Sequence, residues 1–544
     1  MEDVHRMGDS GSRFPWWILG GAALLALAYL PTLNAPFDFV DDGDLVYPAP
    51  AGTTLRGHAE LWWHRVTANV EHLGPFRPVL WLHWHVQANV FGADPLAWRL
   101  CRLVWCGLAA GMLLWLFREL RIPQTAALIA GAAAMWNPYR NEIWTSLTLS
   151  EGVAMPYALF ALVAARKAAT SARPWRWDVV GFVCVLFALG CKNTFAAIVP
   201  AQIALRLWHD ELPFREAGRR AKWRVALFLI PLALPVGHFA YFQLNWHPGQ
   251  YEVTGPRAAQ FVRFLVCLKG AAGLDLLGAG IALATGAVWW AKRPTPPPPF
   301  RERGGWVGLL SPAILCALLL LAAGVVVYLP VGMISGRYAM PAVWGLDVLF
   351  ALLLAALLKL PASAPRTTAW VAVCAGVACV LLLNVHRQER SANRARMLWD
   401  VARHLEATAP QGVAVAWVSG DPATGGLGAE EGVHMQWHLA HRGRADVRVG
   451  LFDAAGNAIP RAELLALEHE PMFRVASVGT ENRQWEPERS FAAVYQFGRK
   501  RYDCHIERRL PPSRFTNTQS LADIARMFIE QVIPPPPPPL WRCG

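Results

Sequence analysis

Charge is scarce in this sequence. Only 17% of its 544 residues are Asp, Glu, Lys or Arg, against about one-quarter in an ordinary soluble domain. That shortage argues against a large soluble enzyme. Disorder is excluded for most of the chain as well: 54% of residues are hydrophobic and the mean hydropathy is +0.27, so there is ample apolar surface to bury. Tandem repeats are lacking. So is metal-ligand spacing among the ten cysteines. Cys101, Cys106, Cys184, Cys191, Cys267, Cys316, Cys374 and Cys379 lie in or beside apolar runs, where a thiol packs as a small hydrophobe. Cys504 and Cys543 stand apart in the tail, and could pair if it faces an oxidising compartment. Acidic residues are fewer than basic ones, giving a net charge of +12. In a soluble protein that would suggest nucleic acid, but in a membrane protein basic residues collect on the cytoplasmic side. What is abundant is Trp (26) and Phe (24), as membrane-interface positions require. The composition therefore predicts a polytopic α-helical membrane protein with the lipid bilayer, and not nucleic acid, as its partner.

Eleven apolar runs are candidate spans: 16–33, 95–117, 124–136, 152–165, 179–189, 195–207, 225–242, 270–290, 306–329, 339–358 and 368–384. The first would cover about 27 Å as a helix, close to the hydrocarbon thickness. No small-residue cleavage site follows it, which predicts a retained helix rather than a signal peptide. Basic residues crowd alternate connections, as in Arg166, Lys167, Arg173 and Arg176, or Arg215, Arg219, Arg220, Lys222 and Arg224. The opposite connections carry them singly. The crowded side is then cytoplasmic, the N-terminus is inside, and everything after Asn384 is outside. Residues 1–385 form the predicted transmembrane domain, with a long external loop at 34–94 and a proline-rich cytoplasmic connector at 292–305. Residues 386–544 read as a small external α/β domain with a proline-rich end. Its helix is expected at 390–407 and its strands at 413–418, 447–452 and 491–497.

The external loop opens Phe37-Asp38-Phe39-Val40-Asp41-Asp42-Gly43-Asp44. An aspartate beside the membrane can act as a general base, and a divalent cation at Asp42 and Asp44 is a second use of such a cluster. A solvated acidic turn is the plainer alternative. Single cations stand at the other external turns: Arg77, Arg140, Lys192 and Arg337. Each alone suits a snorkelling interface residue; together they could surround one anionic group, most simply a lipid phosphate. Within the spans, ionisable groups are few, chiefly Arg99, Arg102, Asp275 and Asp347.

These motifs, in this order, resemble the GT-C superfamily of integral-membrane glycosyltransferases, in its protein O-mannosyltransferase and TMTC-like branch. Phe37 to Asp42 is similar to that family's acidic motif in the first external loop. Phe76-Arg77-Pro78-Val79, then Ala88 to Gly92 and Pro95-Leu96-Ala97-Trp98, resembles its "Y-R-P-L … L-F-G-x-x-P" stretch. Asn137-Pro138-Tyr139-Arg140-Asn141-Glu142-Ile143-Trp144 resembles "H-P-x-x-x-E-x-V-x-W", with Asn in place of His. Leu189-Gly190-Cys191-Lys192-Asn193 is similar to "L-S-K-E", with Asn in place of Glu, and Ser335-Gly336-Arg337-Tyr338 to a late "R-Y-x-x-P" element. The resemblance covers residues 16–360 and stops before the tandem repeats that TMTC-type proteins carry. It implies inverting transfer from a polyprenyl-phosphate sugar to an acceptor hydroxyl on a protein or cell-envelope glycan, at the external face of a bacterial inner membrane. Asp41 or Asp42 would be the base. Arg77, Arg140, Lys192 and Arg337 would bind the donor phosphate, supported by Asp44, His83, Glu142 and Tyr338. A flippase or transporter for a lipid-linked sugar, and a non-catalytic scaffold, are the competing readings.

Overall fold

A computed structural model of the chain describes residues 15–38, 48–73, 76–208, 214–237, 240, 257–291, 311–328, 336–408, 414–418, 429–452, 472–477 and 491–497. The chain is a helical membrane protein. Five helices are long and apolar enough to cross a bilayer: Pro95–Glu119, Ser150–Thr170, Pro174–Cys191, Leu274–Ala291 and the Ala364–Glu389 part of a longer helix. Five shorter apolar helices accompany them: Trp16–Leu27, Gln124–Met135, Trp223–Gly237, Pro312–Val327 and Ala342–Leu358. In Pro174–Cys191 the division of faces is direct. Asp178, Gly181, Val185 and Ala188 are buried, while Val179, Val183 and Phe187 are 48%, 38% and 38% exposed. An exposed apolar stripe at that spacing is costly in water and neutral in lipid.

The helices are labelled in chain order: α1 Trp16–Leu27, α2 Leu55–Leu73, α3 Pro78–Phe91, α4 Pro95–Glu119, α5 Gln124–Met135, α6 Glu142–Thr145, α7 Ser150–Thr170, α8 Pro174–Cys191, α9 Val199–Leu207 and α10 Phe214–Leu229. Then follow α11 Arg257–Ala271, α12 Leu274–Ala291, α13 Pro312–Tyr328, α14 Ala342–Leu358, α15 Ala364–Thr408 and α16 Ala429–His441.

Three expected elements take a different form. The 16–33 run is not one helix: α1 stops at Leu27, and a 3-10 helix, Leu30–Asn34, follows. Pro31 in that turn has no N–H to continue an α-helical ladder. The 195–207 run is a 3-10 helix, Asn193–Ile198, joined to the nine-residue α9. The expected boundary between a span ending at 384 and a separate helix at 390–407 does not exist, because α15 runs unbroken for 45 residues. α11 was not anticipated, and the chain breaks between it and α12 at Gly273, which has φ +70°.

Contacts divide the chain into two units. One comprises Met1–Ala28, Val104–Arg140 and Gly152–Val380; the other comprises Tyr29–Leu103, Asn141–Glu151 and Leu381–Gly544.

In the first unit, α13 and α14 pack most closely, and α9, α5 and the 3-10 helix Asn193–Ile198 pack around them. Small residues permit that approach. A Cβ on Gly324 would stand 2.6 Å from the Cβ of Ala342, and one on Gly345 would collide with the Ala317 carbonyl. The α4–α5 turn shows how a span is stopped. Arg121 takes a left-handed φ of 61°, and the Ile122 N–H returns to the Phe117 carbonyl at 2.9 Å, a Schellman closure ahead of Pro123.

In the second unit, two arginines one turn apart on α4 hold irregular backbone. Arg99 donates to the carbonyls of Ala35 (3.3 Å), Pro36 (2.8 Å) and Thr145. Arg102 donates to those of Leu149 (3.3 Å) and Leu147. Both side chains are buried, so these bonds satisfy carbonyls that water cannot reach. A chain of rings crosses the same unit. Phe91 meets Trp98 at 6.2 Å, Trp98 meets Phe37 at 6.3 Å, Phe37 meets Trp399 at 5.8 Å, and Trp399 meets His438 at 5.2 Å. Toward the C-terminus lie four parallel strands: β1 Ala414–Val418, β2 Arg448–Phe452, β3 Met472–Ser477 and β4 Phe491–Phe497, in the order β2-β1-β3-β4. α16 connects β1 to β2 and packs on both, the crossover that parallel neighbours need. β3 falls outside the three strands that the sequence pattern predicts.

Candidate functional site

The best-defined polar centre of the first unit is built on α14. Asp347 sits in its second turn, and each carboxylate oxygen accepts one N–H from Arg140, at 2.7 and 2.8 Å. The third guanidinium edge, Nε, donates to the Ala271 carbonyl at 2.5 Å. Both side chains are almost fully buried, at 4% and 8% exposure. This is a fork-to-fork pair of the kind that survives burial, because its opposite charges meet in a bidentate geometry. Asn137, three residues earlier, turns its amide nitrogen onto the same chain end, 2.9 Å from the Ala271 carbonyl. Its Oδ1 accepts the Tyr139 N–H at 2.8 Å. The Asn137-Pro138-Tyr139-Arg140 turn is thus stitched to the end of α11 and to α14.

Lys192 ends α8. Its φ of −158° leaves the helix, its side chain is buried, and the 3-10 helix Asn193–Ile198 that follows packs on α8 and α13. Three residues beyond, the Phe195 ring meets that of Trp344 at 5.7 Å. Trp344 is one turn before Asp347, on the buried face of α14. Arg337 lies half-buried in the short 3-10 helix Gly336–Ala339, which packs on α11 and α13 and leads into α14. The segments bearing Arg140, Lys192 and Arg337 therefore meet around the first two turns of α14, where the helix dipole is positive. Asp347 pairs with Arg140. Arg140 keeps one N–H on each Nη beyond those bound to Asp347.

The remaining candidates are placed otherwise. Asp41, Asp42 and Asp44 lie outside the described residues, as do the Tyr338 side chain, Cys504 and Cys543. Arg77 belongs to the second unit, where it caps α3 and its carbonyl accepts the Trp81 N–H at 3.1 Å. His83 stands 3.1 Å from Gln87, which also reaches the Cys101 sulfur at 3.2 Å. Burial, and secondarily the Arg102 charge, push the His83 pKa down to about 4, so it is neutral at ordinary pH and suited to hydrogen bonding rather than to charge. Glu142 opens α6 and is exposed. Among the described residues no group of three His, Cys, Asp or Glu side chains could hold a metal ion.

Sequence reasoning noted Asp347, Arg99 and Arg102 but gave them no work. The available signal was that an ionisable group in an apolar helix demands a partner. No protein-family model matches the chain, and no curated protein matches it either.

Proposed function

We propose that the chain is a membrane glycosyltransferase that moves a sugar from a polyprenyl-phosphate donor to an acceptor hydroxyl with inversion. In this reading eleven spans place the N-terminus in the cytoplasm of a bacterial cell. The 34–94 loop and the 386–544 domain are outside the inner membrane, and Asp41 or Asp42 takes the acceptor proton as the C–O bond forms. Support comes from the motif order and from one structural observation above all. Three connections, each contributing one cation, approach the N-terminal turns of α14. Such a cluster suits a leaving phosphate, whose growing negative charge is best stabilised by fixed donors in a dry site. Lys192 and Arg337 are the direct phosphate ligands of this reading. Arg140, held by Asp347 and Ala271, fixes the geometry and offers its two remaining N–H groups.

A transporter would keep mobile ionisable groups near the bilayer midplane. The in-span groups of this chain are held instead. Arg99 and Arg102 bind carbonyls, Asp347 binds Arg140, and Asp275 binds Lys269 at 2.5 Å. That pattern favours chemistry over passage. The test is transfer from a synthetic polyprenyl-phosphate sugar by purified protein. Asp41→Asn and Asp42→Asn should each lower turnover by orders of magnitude without loss of folded protein. Full activity in both, and in the double variant, would sink the assignment.

A further inference from the structure

The basic end of the α7–α10 helices carries a second polar centre that the proposed reaction does not use. Four helices converge at Gly181: a Cβ there would lie 3.0 Å from Gln202 Nε2, 3.4 Å from the Phe228 ring and 3.6 Å from the Ala164 Cβ. One turn toward the helix ends, Asp178 accepts two bonds from Arg206, at 2.6 and 3.3 Å. Both side chains are buried, and the carboxylate charge is already met. Arg224 on α10 stands 3.8 Å from the same carboxylate, yet its side chain is 41% exposed. It is steered by Asp178 without being consumed by it. The carboxamide of Gln202, which is fully buried, reaches no protein partner through either polar atom.

The surroundings are those of a headgroup layer. Residues 214–224 of α10 carry Arg215, Arg219, Arg220, Lys222 and Arg224 against the single acid Glu216, and residues 225–229 are apolar. Trp223, beside Arg224, is 79% exposed, and Trp175 at the start of α8 is 56% exposed, with Arg176 5.6 Å over its ring. Exposed indoles next to arginines mark the membrane–water boundary. A uniform basic surface would serve orientation alone. Here one guanidinium is aimed by a buried, neutralised ion pair, and an unpartnered buried amide lies among the same four helices.

We propose that this end of α7–α10 binds the headgroup phosphate of an anionic phospholipid, with Arg224 as its direct ligand and Arg219, an exposed cation on the same helix, adding to the basic field around it. Asp178 and Arg206 are the fixed backing, and the flanking indoles sit among the acyl-chain roots. A basic residue near a membrane surface contributes roughly fivefold in affinity for anionic lipid. Full-length protein in neutral detergent would be titrated with short-chain phosphatidylglycerol, phosphatidylcholine or inorganic phosphate. Thermal stability would be read for apparent affinity, and native mass spectrometry for retained lipid. Phosphatidylglycerol should stabilise and be retained, while the other two should not. Arg219→Gln, at an exposed position that does not threaten folding, and Arg224→Gln should each weaken the effect by about fivefold. Arg403→Gln, an exposed change on α15, should leave it intact. Equal stabilisation by phosphatidylcholine, or an unchanged response in both variants, would overturn the proposal. Stabilisation by inorganic phosphate equal to that by phosphatidylglycerol would overturn it in favour of a soluble-anion site. The readouts involve no sugar transfer, so the result stands or falls apart from the enzymatic reading.

Discussion

Removing Asp347 should be among the most damaging single changes in the spans. Asp347→Ala leaves the Arg140 guanidinium, 4% exposed as a side chain, with the Ala271 carbonyl as its one remaining partner among the described bonds. An uncompensated buried charge costs about 3–5 kcal/mol, and Arg140→Ala should cost a similar amount by stranding the carboxylate. The pair itself is not worth that much. Two buried ions also lose hydration, so replacing both with apolar groups of similar volume is often close to neutral. Arg140→Met with Asp347→Leu should therefore lie within about 1 kcal/mol of the parent chain. A double-mutant cycle built from Arg140→Met, Asp347→Leu and their combination should give a coupling above about 2 kcal/mol. The assay is reversible unfolding of the purified protein in mixed micelles of increasing denaturing detergent. Single-variant costs below about 1 kcal/mol, or strictly additive costs in the double variant, would refute the reasoning. The apolar double variant also separates roles: if it folds yet has lost donor use, Arg140 contributes to the phosphate site as well as to packing.

Gly345→Ala should destabilise the α13–α14 contact by about 1–3 kcal/mol, because the added methyl meets the Ala317 carbonyl, and unfolding in the same micelles would measure it. Arg99→Ala strips donors from three carbonyls and should cost about 1–3 kcal/mol; Arg99→Lys should recover part of this, and recovery to full stability would count against the forked contact. His83 and His438 both have pKa values lowered to about 4, chiefly by burial, whereas an unfolded histidine titrates near 6.5. The unfolded chain therefore binds more protons between those values. Stability should be complete above about pH 6.5 and fall as pH drops toward 4, by roughly 3 kcal/mol per histidine. His438→Gln should flatten that slope when protease resistance of the α15–α16 region is followed against pH, and an unchanged slope would refute the assignment.

The helical membrane class was legible because apolar runs and basic clusters are properties of local sequence. The ends of the helices were less so. Pro31 explains why α1 yields to a 3-10 turn, but the unbroken course of α15 depends on packing. Its buried positions, among them Ala392, Ala395, Leu398, Ala402 and Leu405, continue at helical spacing through a segment whose composition reads as polar. Within the candidate site, Arg140 was found as a lone cation at a turn. Its partner Asp347 lies 207 residues away, and nothing local in either segment signals the other. The same holds for Arg99, whose carbonyl acceptors are backbone and leave no trace in residue identity. β3 escaped notice because Met472-Phe473-Arg474 breaks the apolar run by which the other strands announce themselves.

The chain of rings has a consequence for biogenesis. Phe37, at the root of the acidic loop, rests against Trp399, which in turn rests against His438. About 400 residues must be synthesised after Phe37 before its last neighbours exist, and at 5–20 residues per second that is roughly 20–80 s. Through that interval the loop root has no completed packing. Nascent chains arrested before residue 399 should therefore expose Phe37 to chaperones and proteases, and quality control can sense completion of the C-terminus from a position near the N-terminus.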